Sequence, residues 1–119
     1  MVQTFDIDIS SLESGAVVVS VTGDIDLFTT PEFKQAVAEA MSRDADEVVV
    51  DLSRSTFMDS SSLGVLIGAH RKLARRGRPL VVVCDNEAIL KVLRVTGLDG
   101  VFDVVATLGN PAEPLAASR

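Results

Sequence analysis

The sequence predicts a single α/β domain with a mostly parallel sheet, and three observations carry that prediction. Apolar, β-branched runs recur at residues 16–21, 47–52 and 80–84. Between them lie stretches whose apolar residues fall at helical spacing. The last two runs are continuous rather than alternating, which suits strands covered on both faces, and each parallel return needs a crossover through a helix. At 119 residues, 47% of them hydrophobic, the chain is long enough to bury one core.

Taken in order, Phe5, Ile7 and Ile9 alternate with Asp6, Asp8 and Ser10, the period of a half-buried strand. Glu13-Ser14-Gly15 turns the chain into a second strand over 16–21, and so short a connection makes an antiparallel hairpin. Thr30 can cap the first helix, with Pro31 at its first position and Glu32 at its positive end. Phe33, Val37, Ala40 and Met41 then form the inner face of an amphipathic helix of about three turns.

A buried strand over 47–52 leads to a second helix. Its apolar stripe reads Leu63, Leu66, Ile67, His70, Leu73 and Ala74, with Arg71, Lys72, Arg75 and Arg76 opposite. Gly77-Arg78-Pro79 stops it. After the strand over 80–84, Asp85 or Asn86 caps a third helix with Ile89, Leu90, Leu93 and Val95 inward and Gly97 closing it. Residues 101–105 form the last strand. The expected order is β-β-α-β-α-β-α-β, with an antiparallel strand near one edge. The domain is expected over residues 1–110, and 111–119 as a C-terminal tail or short helix.

Composition excludes several function classes. The net charge of −6 argues against general nucleic-acid binding. Arg71, Lys72, Arg75, Arg76 and Arg78 hold five of the eleven positive charges, a cluster that suits the outer face and C-terminal end of a helix. No apolar run approaches the roughly 20 residues of a membrane-spanning helix. The N-terminus has no basic start and apolar stretch of a secretory signal, so a cytoplasmic location is expected. Cys84, the single cysteine, ends an apolar run and reads as a small buried hydrophobe.

Enzyme chemistry is poorly supplied. The single histidine, His70, lies nine residues beyond Ser61, about 13 Å along a helix and out of hydrogen-bond reach. One Cys and one His cannot build a zinc site. Asp24, Asp26, Asp51 and Asp59 could gather as magnesium ligands, but caps and solvated loop acids are the commoner roles, and no metal or cofactor is assigned. Gly23 and Gly64 are isolated and belong to no phosphate-binding loop; a tight turn or close packing is their expected role.

What remains is Thr56-Phe57-Met58-Asp59-Ser60-Ser61-Ser62-Leu63-Gly64-Val65, where a strand ends and a helix begins. Unpaired N–H groups and the helix dipole favour Asp or Ser there as a cap, and also accommodate a phosphate. Phosphorylation would add about −1.5 to −2 charges and three acceptor oxygens, enough to turn a partner surface anionic. From the residues alone, ordinary capping and a regulated switch both stand.

The stretch from Val49-Val50-Asp51-Leu52 through Asp59-Ser60-Ser61-Ser62-Leu63-Gly64-Val65-Leu66 closely resembles the anti-sigma factor antagonists, single-domain STAS proteins of bacteria. Gly23-Asp24-Ile25-Asp26 and Val95-Thr96-Gly97-Leu98 resemble the same family, so the likeness spans roughly residues 4–108. The resemblance implies a STAS-like fold and a partner switch. The unmodified protein would bind an anti-sigma factor that is also a serine kinase of GHKL type, releasing the sigma factor. Phosphorylation at Ser61 would end that binding, and a PP2C-like phosphatase would restore it. Asp59 and Ser60 match neighbouring contact positions, and Asp26 matches the acidic position of the first loop.

The partner surface expected on this likeness comprises Asp24, Asp26, Leu27, Phe28, Asp59, Ser60, Ser61 and Ser62. Many relatives have Gly where this chain has Ser62, which adds a competing hydroxyl. Leu27 and Phe28 stand where polar residues are frequent; they belong either to the interface or, for Phe28, to a staple at the helix start. The alternative is a STAS interaction module of a stressosome-type or lipid-transport complex with no sigma factor in its circuit.

Overall fold

A computed structural model describes residues 4–107 and contains the expected elements in the expected order. Strand β1 (Asp6–Ser11) pairs antiparallel with β2 (Ala16–Thr22), Ile7 opposite Val21 and Ile9 opposite Val19. Beyond them β3 (Glu47–Arg54), β4 (Leu80–Val83) and β5 (Asp103–Val105) add in parallel, giving the sheet order β1-β2-β3-β4-β5. The antiparallel strand is thus the edge strand, and the short hairpin turn accounts for its direction. The tail expected over 111–119 lies outside the described residues.

Helices α1 (Thr30–Ser42), α2 (Ser60–Ala74) and α3 (Glu87–Val95) provide the crossovers. All three pack on one face of the sheet, where Phe33, Val37, Leu66, Leu73, Ile89 and Leu93 meet the inward valines of β2, β3 and β4. The opposite face carries a second, smaller cluster of Ala16, Val18, Val49, Val81 and Val83. Apolar residues on both sides of the same strands explain why β3 and β4 read as continuous runs.

Several local expectations change in the structure. The inner face of α2 is Ser62, Leu63, Leu66, Ala69 and Leu73, while Ala74 is exposed. From Leu63 on, those positions keep a three-and-four spacing, and Ala74 lies one residue past its last member. Val95, expected inward, is 77% exposed, because it lies two positions past Leu93 on the far side of the last turn. A 3-10 turn, Leu98–Gly100, occupies the approach to the last strand, which therefore begins at Asp103 rather than residue 101. Thr29, not Thr30, stands at the N-cap of α1, and no side chain caps that helix.

Other readings survive unchanged. Asn86 caps α3, its side chain accepting from Ala88 N and Ile89 N. Cys84 is buried, and burial pushes its thiol pKa up, which suits an inert hydrophobe. His70 packs edge-on against Phe102, ring centroids 5.7 Å apart. Arg71 and Lys72 are exposed in the last turn of α2, Arg75 and Arg76 are exposed just past its end, and Arg78 pairs with Asp44 at 3.0 Å. Among the described residues no helix is long and apolar enough to cross a membrane.

Candidate functional site

Two connections leave the carboxyl ends of adjacent parallel strands, residues 23–29 after β2 and 55–59 after β3. Such ends are where open α/β sheets place their ligand sites. Gly23 makes the first turn with φ +91°, and a Cβ there would sit 3.1 Å from the Phe5 Cα, so backbone conformation and space both call for glycine. Gly64 has open space around it and is required by neither turn nor packing.

The two connections are stitched together by backbone. Gly23 N–H donates to the Arg54 carbonyl at 3.1 Å, and Ile25 N–H to the Phe57 carbonyl at 3.0 Å. The Ile25 carbonyl accepts from Asp59 N–H at 3.1 Å, making a parallel bridge between Ile25 and Met58. Thr56 adds a side-chain tie, its hydroxyl donating to Asp24 Oδ1 at 2.7 Å. Asp24 and Asp59, 35 positions apart in sequence (59 − 24), are thereby fixed on one continuous rim.

Asp26 shapes the rest of its loop. Its Oδ1 accepts the N–H groups of Phe28 at 2.9 Å and Thr29 at 3.1 Å, a side-chain turn of the kind Asp favours. This closes the loop without an apolar staple: Phe28 is 89% exposed and Leu27 70%. The staple expected as one option for Phe28 is therefore absent. Phe57 is also exposed, so three large apolar side chains project from the joined connections. Scattered exposed apolar residues need no explanation, but a group beside a polar rim is how interaction surfaces look.

Asp59 is the N-cap of α2, its side chain accepting from Ser62 N–H at 3.1 Å. The three hydroxyls then have different fates. Ser62 is 0% exposed, and its hydroxyl is engaged with the Asp59 carbonyl at 2.8 Å, so it is part of the cap. Ser60 is exposed. Ser61 is partly exposed, donates to Asp59 Oδ1 at 2.7 Å, and lies 3.1 Å from the Thr30 hydroxyl. Of the three, it combines access with a proton already drawn toward a carboxylate.

Those bonds hold the Asp59 carboxyl below its ordinary value of 3.8, the Ser61 hydroxyl contributing most and the Ser62 N–H next. A carboxyl lowered in the fold stabilises it above the unfolded value and loses that contribution as pH falls through the lowered one. Asp59→Asn keeps a capping oxygen but cannot ionise. Its urea midpoint is therefore expected to fall less than wild type's when pH drops below 3.8, measured against the same drop in the parent.

The structure thus brings Asp24, Asp26, Leu27, Phe28, Asp59, Ser60, Ser61 and Ser62 to one end of the sheet. It adds three residues that sequence reasoning did not assign to the site: Thr30, Thr56 and Phe57. Thr56 and Phe57 stood within the expected segment, but nothing local marked the Thr56 tie to Asp24. Thr30 meets Ser61 across 31 positions, a contact without a local signal. Among the described residues, no group of three or more His, Cys, Asp or Glu side chains could hold a metal ion.

Known proteins share this arrangement of elements. A crystal structure of an anti-sigma factor antagonist from Mycobacterium paratuberculosis superposes with a TM-score of 0.83 at 29% identity, covering 92% of each chain. The anti-sigma-B factor antagonist of Listeria monocytogenes is 28% identical over 98 residues, 82% of this chain and 86% of that protein. The anti-sigma F factor antagonist of Paenibacillus polymyxa is 29% identical over 102 residues, 85% of each. The family model described as "Mlab, STAS domain" matches residues 9–107, which include every strand-end residue described above. With that match over most of its length, and with the sheet order and helix-start serines just described, the chain belongs to the STAS domain family.

Proposed function

We propose that this chain is a cytoplasmic anti-sigma factor antagonist controlled by phosphorylation at Ser61. Unmodified, it binds an anti-sigma factor that is also a GHKL-type serine kinase and so releases the sigma factor. The kinase transfers a phosphoryl group from ATP to Ser61 Oγ: the new Oγ–P bond forms, ADP leaves, and the hydroxyl proton is given up. The modified chain no longer binds, and a PP2C-like phosphatase reverses the step. The chain itself is a binding module and a kinase substrate rather than an enzyme.

One observation carries the choice of residue: Ser61 is a partly exposed hydroxyl 2.7 Å from Asp59 Oδ1, whereas Ser62 is fully buried in the cap. The names of the relatives from Listeria monocytogenes and Paenibacillus polymyxa support the choice of circuit. The partner surface is the 24–28 loop with the start of α2, where Leu27, Phe28 and Phe57 supply apolar area beside the rim of carboxylates. Adding about −1.5 to −2 charges at its centre makes that surface hostile to the same partner.

Incubation with the cognate kinase and ATP is expected to add one phosphate, at Ser61, located by phosphopeptide mass spectrometry. A phosphate at Ser60 or Ser62, or none, would overturn the assignment. A chain never modified at all would point instead to a STAS module of a stressosome-type or lipid-transport assembly.

A further inference from the structure

We propose that the Thr30 hydroxyl relays the state of Ser61 to the 24–28 loop. The inference rests on Ser61 being the modified residue and begins with a count of protons. A hydroxyl has one proton to donate and two lone pairs with which to accept. Ser61 Oγ donates to Asp59 Oδ1 at 2.7 Å. Thr30 Oγ1 donates to the Asp26 carbonyl, also at 2.7 Å. The two hydroxyl oxygens nevertheless stand 3.1 Å apart. With each proton in its shorter bond, at 2.7 Å, the longer contact has none of its own; a hydroxyl rotates freely, so whichever side becomes the stronger acceptor draws one.

Phosphorylation makes Ser61 that side. The Ser61 proton is lost, and three anionic oxygens take its place. Asp59, on one flank, is a carboxylate that repels them; Thr30, on the other, is a donor. Hydrogen bonds to an ionised acceptor are roughly twice as strong as neutral ones, so the Thr30 proton moves from the Asp26 carbonyl to the phosphate. That carbonyl keeps the N–H groups of Thr30 at 2.9 Å and Thr29 at 3.2 Å. The loop therefore loosens rather than unfolds. Asp26 also holds Phe28 N–H through its side chain, so the change reaches the two exposed apolar residues, Leu27 and Phe28. One covalent event then alters both the charge of the rim and the presentation of the apolar contacts.

The test installs phosphoserine at position 61 during translation, so it does not depend on finding the kinase. Amide spectra of the unmodified and phosphorylated chain are compared in wild type, Thr30→Val and Thr30→Ser. Phosphorylation is expected to shift the Leu27, Phe28 and Thr29 amides in wild type and in Thr30→Ser, and the shifts are lost in Thr30→Val. Shifts at Ser62 and Leu63, beside the phosphate in sequence, should persist in all three. Loop shifts that survive in Thr30→Val would overturn the relay, as would their loss in both variants. If Thr30→Val fails to fold, Thr30→Ala gives the same comparison. A failed relay leaves the Ser61 assignment standing, because that is decided separately by phosphopeptide mapping.

Discussion

Ser61→Ala is expected to bind the anti-sigma factor as wild type does, while Ser61→Asp binds far more weakly. Alanine removes the hydroxyl without adding charge, and the cap of α2 survives because Asp59 still accepts from Ser62 N–H at 3.1 Å. Aspartate places a second carboxylate where the Ser61 hydroxyl now donates to the first at 2.7 Å. Covering that charge with a partner that offers it no counter-charge costs several kcal/mol, and with about 1.4 kcal/mol per tenfold a weakening of roughly 30-fold or more follows. Because Ser61 is partly exposed, added salt should narrow the gap between the two variants. Isothermal titration of each variant at two salt concentrations checks both statements. Equal affinities would remove the electrostatic basis of the switch.

Ile25→Ala is expected to have the largest effect on stability among changes near the site. Ile25 is 0% exposed, and its backbone both donates to Phe57 and accepts from Asp59. Truncating a buried Ile to Ala costs about 2–5 kcal/mol, a large share of the roughly 5–15 kcal/mol that holds a small domain together. The urea midpoint should fall with the slope unchanged, and partner binding should weaken because the buried side chain seats the backbone bridge that joins both connections. Ile25→Val, one methyl smaller, should cost only about 0.5–1.5 kcal/mol. Leu27→Ala is the counterpart: an exposed residue whose loss leaves stability within about ±0.5 kcal/mol yet lowers affinity. A Leu27→Ala chain as unstable as Ile25→Ala would contradict this division between anchor and contact.

Most of the fold was legible because burial wrote periodicity into the chain. Phe5, Ile7 and Ile9 alternate where one face of β1 is covered, and the continuous valines of β3 and β4 face apolar clusters on both sides. Apart from Gly64, which neither turn nor packing requires, the positions that differ within helices and strands sit at element ends, where periodicity has few residues to act on. Val95 follows the last buried turn of α3, and Val101 belongs to the turn before β5 rather than to the strand. At the site, Asp59, Ser60 and Ser61 were legible as a helix start, but the separate roles of the serines were not. Burial of Ser62 against Asp59 and access to Ser61 depend on how α2 seats on the sheet. The tie from Thr56 to Asp24 and the approach of Thr30 to Ser61 join distant segments, and no local pattern encodes them. Phe28 illustrates the opposite case. An apolar residue before a helix suggests a staple, yet Asp26 closes that loop by hydrogen bonds and leaves the ring in solvent.

The switch is tested most directly by the affinity of the cognate anti-sigma factor for two forms of this chain, unmodified and carrying phosphoserine at position 61. Tight binding is expected of the unmodified chain, with a loss of roughly 30-fold or more on phosphorylation, the size expected when a partner must cover a charge for which it has no counter-charge. Equal affinity for the two forms, with both shown to be folded, would contradict it.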